Sequence, residues 1–292
     1  MTTPRDSDSP PDVLYHYCSA ETLISILSNQ TIRMGPVTSM NDFMEHSWLR
    51  KLAEDRVSTL QMAHIRSVLG PPDPFAEFLY EARMSLATLQ AMIPYCACFS
   101  SDGDVLSQWR AYANDGKGFA VGFASTAISR FQHTELKQVI YDVERHSEII
   151  ETLLDESKSR LSEGMPQTAI QFEADGFFQQ LLEPSTYCKN PAFKEEKEWR
   201  IVCEPIPVDD PHTGKTIEIG PADKSDFKVG SDGRLLHYWD VKFLKDFGTK
   251  TISEIVIGPK NPTKQDDYVL NLLLKEKEFS HVEIKESAAT YR

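Results

Sequence analysis

No stretch of this 292-residue chain approaches the roughly 18 uninterrupted apolar residues of a membrane span. The opening MTTPRDSDSPPD has no apolar core, so a secretory signal is not expected there. No long Lys/Arg run occurs, and the formal net charge is −13, which disfavours broad electrostatic binding to phosphate backbones. Neither the dinucleotide fingerprint nor the P-loop pattern appears. Cysteines are scarce and odd in number, five in all, at 18, 96, 98, 188 and 203. Such a set does not suit a disulfide framework, and a reduced, cytoplasmic protein is expected. Internal repeats and low-complexity linkers are also missing.

What is present is ordinary globular composition, 40% hydrophobic and 26% charged, on a chain long enough to bury a core. Residues 1–11 read as a disordered tail and 12–292 as a single α+β domain. Val13–Cys18 alternates like a strand. Ser19 then offers an N-cap, Glu21 suits a first helical turn, and Leu23, Ile26 and Leu27 make a helical stripe. TIRMG reads as a second strand, and Asn41-Asp42 as a cap for the next helix. Residues 43–93 are helical in pattern, broken by GPPDP at 70–74. YCACFSS, GKGFAVGF, KQVIYD, EEKEWRIVCEP, GKTIEIG, SEIVIGP and HVEIKES read as strands, and DFKVGSDGRLLHYWDV as a hairpin. Residues 144–183 form two helices split near Gly164. Strands at both ends with helices between predict a mixed or antiparallel sheet carrying a helical insertion.

Four constellations bear on chemistry. In YHYCS, His16 is either a half-buried histidine bonded to backbone or a neutral hydrogen-bond partner for a ligand hydroxyl. In CFSSDGDVLSQWRAYAND, Ser100 closes a strand and a helix follows, carrying Val105, Trp109 and Tyr112 on one side; Arg110 is placed to meet a phosphate. In FKEEKEWRIV, an extended 196–202 would put Glu196, Glu198 and Arg200 on one face. These are either solvated charges blunting an edge or a carboxylate placed for cation-like chemistry at a sugar carbon. A Cys3His zinc site from His16, Cys18, Cys96 and Cys98 lacks the usual knuckle spacing, and no metal is expected.

These blocks, with IRMGPVTSMNDFMEH and ISEIVIGP, resemble over residues 13–260 a large bacterial family, the domain of unknown function numbered 2971, where Thr commonly stands in place of Cys18. The ordered series of strand histidine, strand-end serine and Glu-x-Glu also resembles ADP-ribosyltransferase-like enzymes. That resemblance implies a split sheet and an NAD-consuming activity, either ADP-ribosyl transfer to an acceptor the sequence does not identify or NAD glycohydrolysis, in a toxin or phage-defence effector. It implies that His16 bonds an NAD ribose hydroxyl and that Ser100 supports the ribose or the catalytic carboxylate. Glu198 would stabilise the oxocarbenium ion, Glu196 orient the acceptor, and Tyr17 or Tyr112 stack on nicotinamide. Two other readings stand beside it: a non-catalytic nucleotide- or protein-binding module on the same scaffold, and a metal-dependent hydrolase using Glu196 and Glu198.

Overall fold

A computed structural model describes residues 9–39, 47–67, 73–88, 94–209, 216–222, 225–230 and 233–291. The chain runs β1 (Val13–Cys18), α1 (Ala20–Asn29), β2 (Thr31–Pro36), α2 (Trp48–Ser67), α3 (Pro74–Thr88) and β3 (Tyr95–Ser100). It continues through α4 (Leu106–Tyr112), β4 (Phe119–Ala124), α5 (Ser125–Ile128), β5 (Glu135–Gln138), α6 (Val143–Arg160) and α7 (Gln167–Ser185). The last part holds β6 (Glu198–Cys203), β7 (Ile206–Asp209), β8 (Thr216–Ile219), β9 (Ser225–Val229), β10 (Leu235–Lys242), β11 (Ile252–Ile257), α8 (Tyr268–Glu276) and β12 (Glu283–Glu286). This is a mixed α+β architecture with a large, mostly antiparallel sheet, as the pattern of strands and helices predicts.

Contacts divide the chain into two compact units. The first gathers the residues up to Pro36, Pro94–Val139 and the chain from Lys194 on. The second is built from the two insertions between them. The helical insertion read from the sequence is therefore a unit with its own core.

In the first unit ten strands share one sheet, ordered β12-β11-β4-β1-β3-β2-β10-β9, with β6 on β3 and β5 on β6. Along β3, Tyr95–Ser100 pair residue by residue with Cys203–Glu198 of β6. The other edge of β3 is divided. β1 meets it at Ser100, opposite Tyr15, and β2 meets it at Cys96 and Tyr95, opposite Gly35 and Pro36. Both run antiparallel to β3, and α1 joins them. Ala97–Phe99 have no strand partner on that edge among the described residues, so the sheet is split there. Helix α1 starts where the Ser19 hydroxyl accepts the Thr22 N–H at 3.3 Å, and Leu23, Ile26 and Leu27 bury its inner stripe. That stripe joins Leu14, Phe99, Val121, Phe123, Trp199 and Ile201 in the main core. Burying each such side chain contributes roughly 1.5–3 kcal/mol.

The second unit holds α2, α3, α6 and α7 around Leu49, Phe78, Leu79, Ile150, Leu154, Phe177 and Phe178. His146 lies buried in it. Its Nε2–H donates to the Ile140 carbonyl at 2.8 Å, and its Nδ1 accepts from Trp48 Nε1 at 3.2 Å. These partners fix a neutral tautomer. Burial, the main cause, lowers the pKa of this imidazole.

Several local expectations shift. Helix α4 buries Trp109 completely but leaves Tyr112 37% exposed, so the two are not one inward face. Strand β5 ends at Gln138, before the Ile140 that KQVIYD placed in a strand; Ile140 bridges Cys188 instead. The Asn41-Asp42 cap lies outside the described residues.

Candidate functional site

Strand parity decides which predicted residues meet. Directly opposed residues in antiparallel strands point to the same face. Tyr15, Ser100 and Glu198 are opposed in a row across β1, β3 and β6. By the same alternation His16, Phe99 and Trp199 share the other face, and the His16 and Phe99 rings lie 5.9 Å apart there. The structure therefore brings Ser100 and Glu198 together but not His16 with them. The expectation that all three grip one sugar ring is corrected on this point: Tyr15, one residue earlier, is the β1 side chain on the Glu198 face.

His16 instead has a visible local task. Its Nδ1 stands 2.9 Å from the Cys98 carbonyl. A carbonyl only accepts, so Nδ1 carries the proton and Nε2 is left as an acceptor. Cys98 lies in the stretch of β3 that neither β1 nor β2 pairs, and the imidazole gives its backbone oxygen a donor there. Burial lowers the His16 pKa, opposed by that backbone bond, which keeps the ring neutral near pH 7.

The Glu-x-Glu block also folds differently from its extended reading. Lys197 has φ +47°, a left-handed conformation that breaks the strand. Glu196 therefore ends a short 3-10 helix over Pro191–Glu196, and β6 begins at Glu198. Glu198 and Arg200 do share a face, one strand period apart. Arg200 grips Glu198 at both oxygens, Nε to Oε1 at 2.8 Å and Nη2 to Oε2 at 2.9 Å. The pair is not a solvated edge. β6 lies between β3 and β5, and Glu198 is 6% and Arg200 1% exposed.

The Ser100 hydroxyl is buried and donates to the Glu196 carbonyl at 2.8 Å, while accepting the Asp102 N–H at 3.2 Å. Ser101 N–H bonds the Lys197 carbonyl at 3.0 Å. The strand-end serines thus hold the turn that delivers Glu198. Tyr112 reaches the same turn from α4, its hydroxyl 3.5 Å from Glu196 Oε1.

Around them lies a polar network in which Tyr17, Trp109 and Arg110 were singled out from the sequence but Tyr15, Asp102, Asp104, Glu254 and Lys285 were not. Tyr15 donates to Glu254, which also pairs with Lys285. Burial chiefly, and then the Glu254 hydrogen bond, push the Tyr15 pKa well up. Tyr17 donates to the Asp102 carbonyl at 2.9 Å, accepts the Val105 N–H at 2.8 Å, and packs edge-on against Trp109 with ring centroids 4.8 Å apart. It is therefore committed to the core rather than free to stack on a ligand. Asp102 pairs with Lys197 at 3.0 Å; burial works to raise its pKa, but that pair and the Asp104 N–H outweigh it and lower it. Asp104 accepts from Trp109 Nε1 at 2.7 Å and from Ala288 N–H at 2.7 Å. Arg110 is exposed and lies over the Tyr291 ring at 5.7 Å. The paired aspartates and the tryptophan of SSDGDVLSQW were the available signal for this network.

The zinc alternative is divided by the same parity. Cys96 and Cys98 face the Glu198 side with their sulfurs 4.0 Å apart, whereas Cys18 belongs to the main core on the other side. Among the described residues no cluster of three His, Cys, Asp or Glu side chains is placed to hold a metal ion. Among the described residues no helix is long and apolar enough to cross a membrane.

Residues 108–201 match the model of a family described as protein of unknown function (DUF2971). The match runs from α4 to β6 and takes in Glu196, Glu198 and Arg200, so over this part the chain is similar to that family. The wider resemblance read from the sequence is not covered outside these residues. No curated protein matches, and no solved structure matches.

Proposed function

We propose that the α+β unit binds NAD or a related nucleotide on the Tyr15–Ser100–Glu198 face of its sheet and consumes it, by ADP-ribosyl transfer or NAD glycohydrolysis. The observation that carries this reading is a carboxylate fixed at the start of a strand flanked on both sides, by a two-point guanidinium clamp. Loss of nicotinamide from NAD develops positive charge on the ribose carbon. A preoriented carboxylate lowers that barrier because it needs no reorganisation as the charge appears. Ser100 and the left-handed Lys197 set its position. On this reading Glu198 meets a ribose hydroxyl, and Glu196, whose Oε1 lies 3.5 Å from the Tyr112 hydroxyl, orients an acceptor. His16 contributes by holding the open edge of β3 rather than by touching the same sugar.

The test is release of free nicotinamide from NAD by the full chain. Glu198→Gln should slow it by about two to three orders of magnitude, as loss of one preorganised electrostatic contact of roughly 3–4 kcal/mol requires. No release, together with no protection against heat unfolding by NAD, refutes the reading.

A second reading, a non-catalytic binding module, is favoured by one feature: both Glu198 oxygens are already engaged by Arg200 and nearly closed to solvent. NAD that stabilises the protein but is not consumed, equally in wild type and Glu198→Gln, selects it.

A further inference from the structure

We propose that β9 is a self-association edge, through which two copies of the chain join antiparallel, β9 to β9, about a two-fold axis at Phe227. Strand β9 closes one end of the sheet order, paired only with β10 among the described strands. The hairpin register fixes which of its backbone groups face outward. Gly230 N–H bonds the Arg234 carbonyl at 2.8 Å, so the 230–234 pair is hydrogen-bonded. Alternation along the ladder then makes Lys228–Leu236 and Asp226–Tyr238 the next bonded pairs. The amides of Ser225, Phe227 and Val229 therefore point away from β10.

Native sheets usually blunt such an edge with charge, a bulge or a cover. The opposite end of this sheet does so: β12 carries Glu283, Lys285 and Glu286, and Lys285 pairs with Glu254 and Glu283. β9 is different. All five of its residues are exposed, and one face carries Phe227 at 67%, Val229 at 67% and, from β10, Leu235 at 77%. A contiguous apolar group on a bare strand edge marks a contact surface.

The charge pattern of the strand, SDFKV, names the occupant. With Phe227 opposite Phe227 of a second copy, Asp226 lies opposite Lys228, and Lys228 opposite Asp226. Centring the pair on residue 226 or 228 instead sets like charges against each other, which is destabilising. The self-complementary register is also the one that aligns the outward amides of Phe227 for reciprocal bonding. In the single chain the Asp226 carboxylate accepts the Phe227 N–H at 2.7 Å. On pairing, that N–H passes to the partner's carbonyl and Oδ1 becomes available to the partner's lysine, while Oδ2 keeps the Tyr238 hydroxyl at 3.3 Å.

Sedimentation velocity on the full chain tests this. A contact of one short strand falls in the small-interface class, so association is expected with a Kd of about 10–100 µM. Asp226→Lys and Lys228→Asp, each alone, should weaken association at least tenfold, by setting like charges opposite at both symmetric positions. An equimolar mixture of the two variants should recover the wild-type association, which also shows that both variants fold. A monomer at all concentrations up to about 200 µM, several times that expected Kd, overturns the proposal. So do oligomers that grow past the dimer, single variants that pair like wild type, or a mixture no tighter than either variant.

Discussion

Replacing Arg200 with Met removes the guanidinium from a carboxylate that stays in place. The structure sets the magnitude. Arg200 meets both oxygens of Glu198 at 2.8 and 2.9 Å, and their side chains are 1% and 7% exposed. Water cannot take over the lost bonds without opening β6 from its neighbours. Breaking one side of a buried pair costs about 3–5 kcal/mol. At roughly 1.4 kcal/mol per tenfold, the folded-to-unfolded ratio should fall by about two to three and a half orders of magnitude. Removing both charges, as Glu198→Leu with Arg200→Met, should return stability to within about 1 kcal/mol of wild type. Arg33 provides the contrast. It too is two-pronged on Asp240, but both side chains are a third or more exposed, so Arg33→Met should cost no more than about 1 kcal/mol. Urea unfolding followed by tryptophan fluorescence reads all four proteins, since Trp109, Trp199 and Trp239 lie in this unit. A loss below about 1 kcal/mol for Arg200→Met refutes the buried-clamp argument.

The imidazoles of His16 and His146 have lowered pKa values in the folded chain, so the unfolded chain binds protons first as pH falls. Their contribution is full above the ordinary histidine value of about 6.5 and is lost as pH drops through the lower folded values. His16→Asn, which preserves a donor for the Cys98 carbonyl, should flatten the rise in urea midpoint between about pH 5 and 7; an unchanged slope contradicts the assignment. Gly118→Ala should cost about 2 kcal/mol or more, because its Cβ would stand 2.1 Å from the Cys18 carbonyl oxygen, which is backbone and cannot swing aside. A thermal melt like that of wild type would show that the β1–β4 contact is looser than described.

Much of this fold is written locally. Val13–Cys18, the Ser19 cap and the Leu23–Ile26–Leu27 stripe carry their own periodicity, and all three appear as read. Where the reading slipped, the deciding force was not local. Lys197 enters the left-handed region because Ser100 and Ser101, almost a hundred residues earlier, hold the carbonyls on either side of it. No pattern inside FKEEKEWRIV reveals that. His16 looked like a partner for Glu198 because order along the chain says nothing about the face of a sheet. Only the register of β1 on β3 shows that Tyr15, not His16, stands beside Ser100. The face shared by Glu198 and Arg200 was legible; the burial of the pair was not, because β5, which covers β6, comes from Glu135–Gln138.

The pairing of β3 with β6 has a consequence for how the chain is made. Tyr95–Ser100 leave the ribosome long before Glu198–Cys203 exist. At about 5–20 residues per second, the first partner waits roughly 5–20 s for the second. During that interval the helical insertion is already being synthesised around its own core, while the apolar strand YCACFS has one flank with nothing to bond. Nascent copies are then most exposed to mispairing with each other, so the yield of folded protein should depend more on chaperone supply and growth temperature than the finished sheet would suggest.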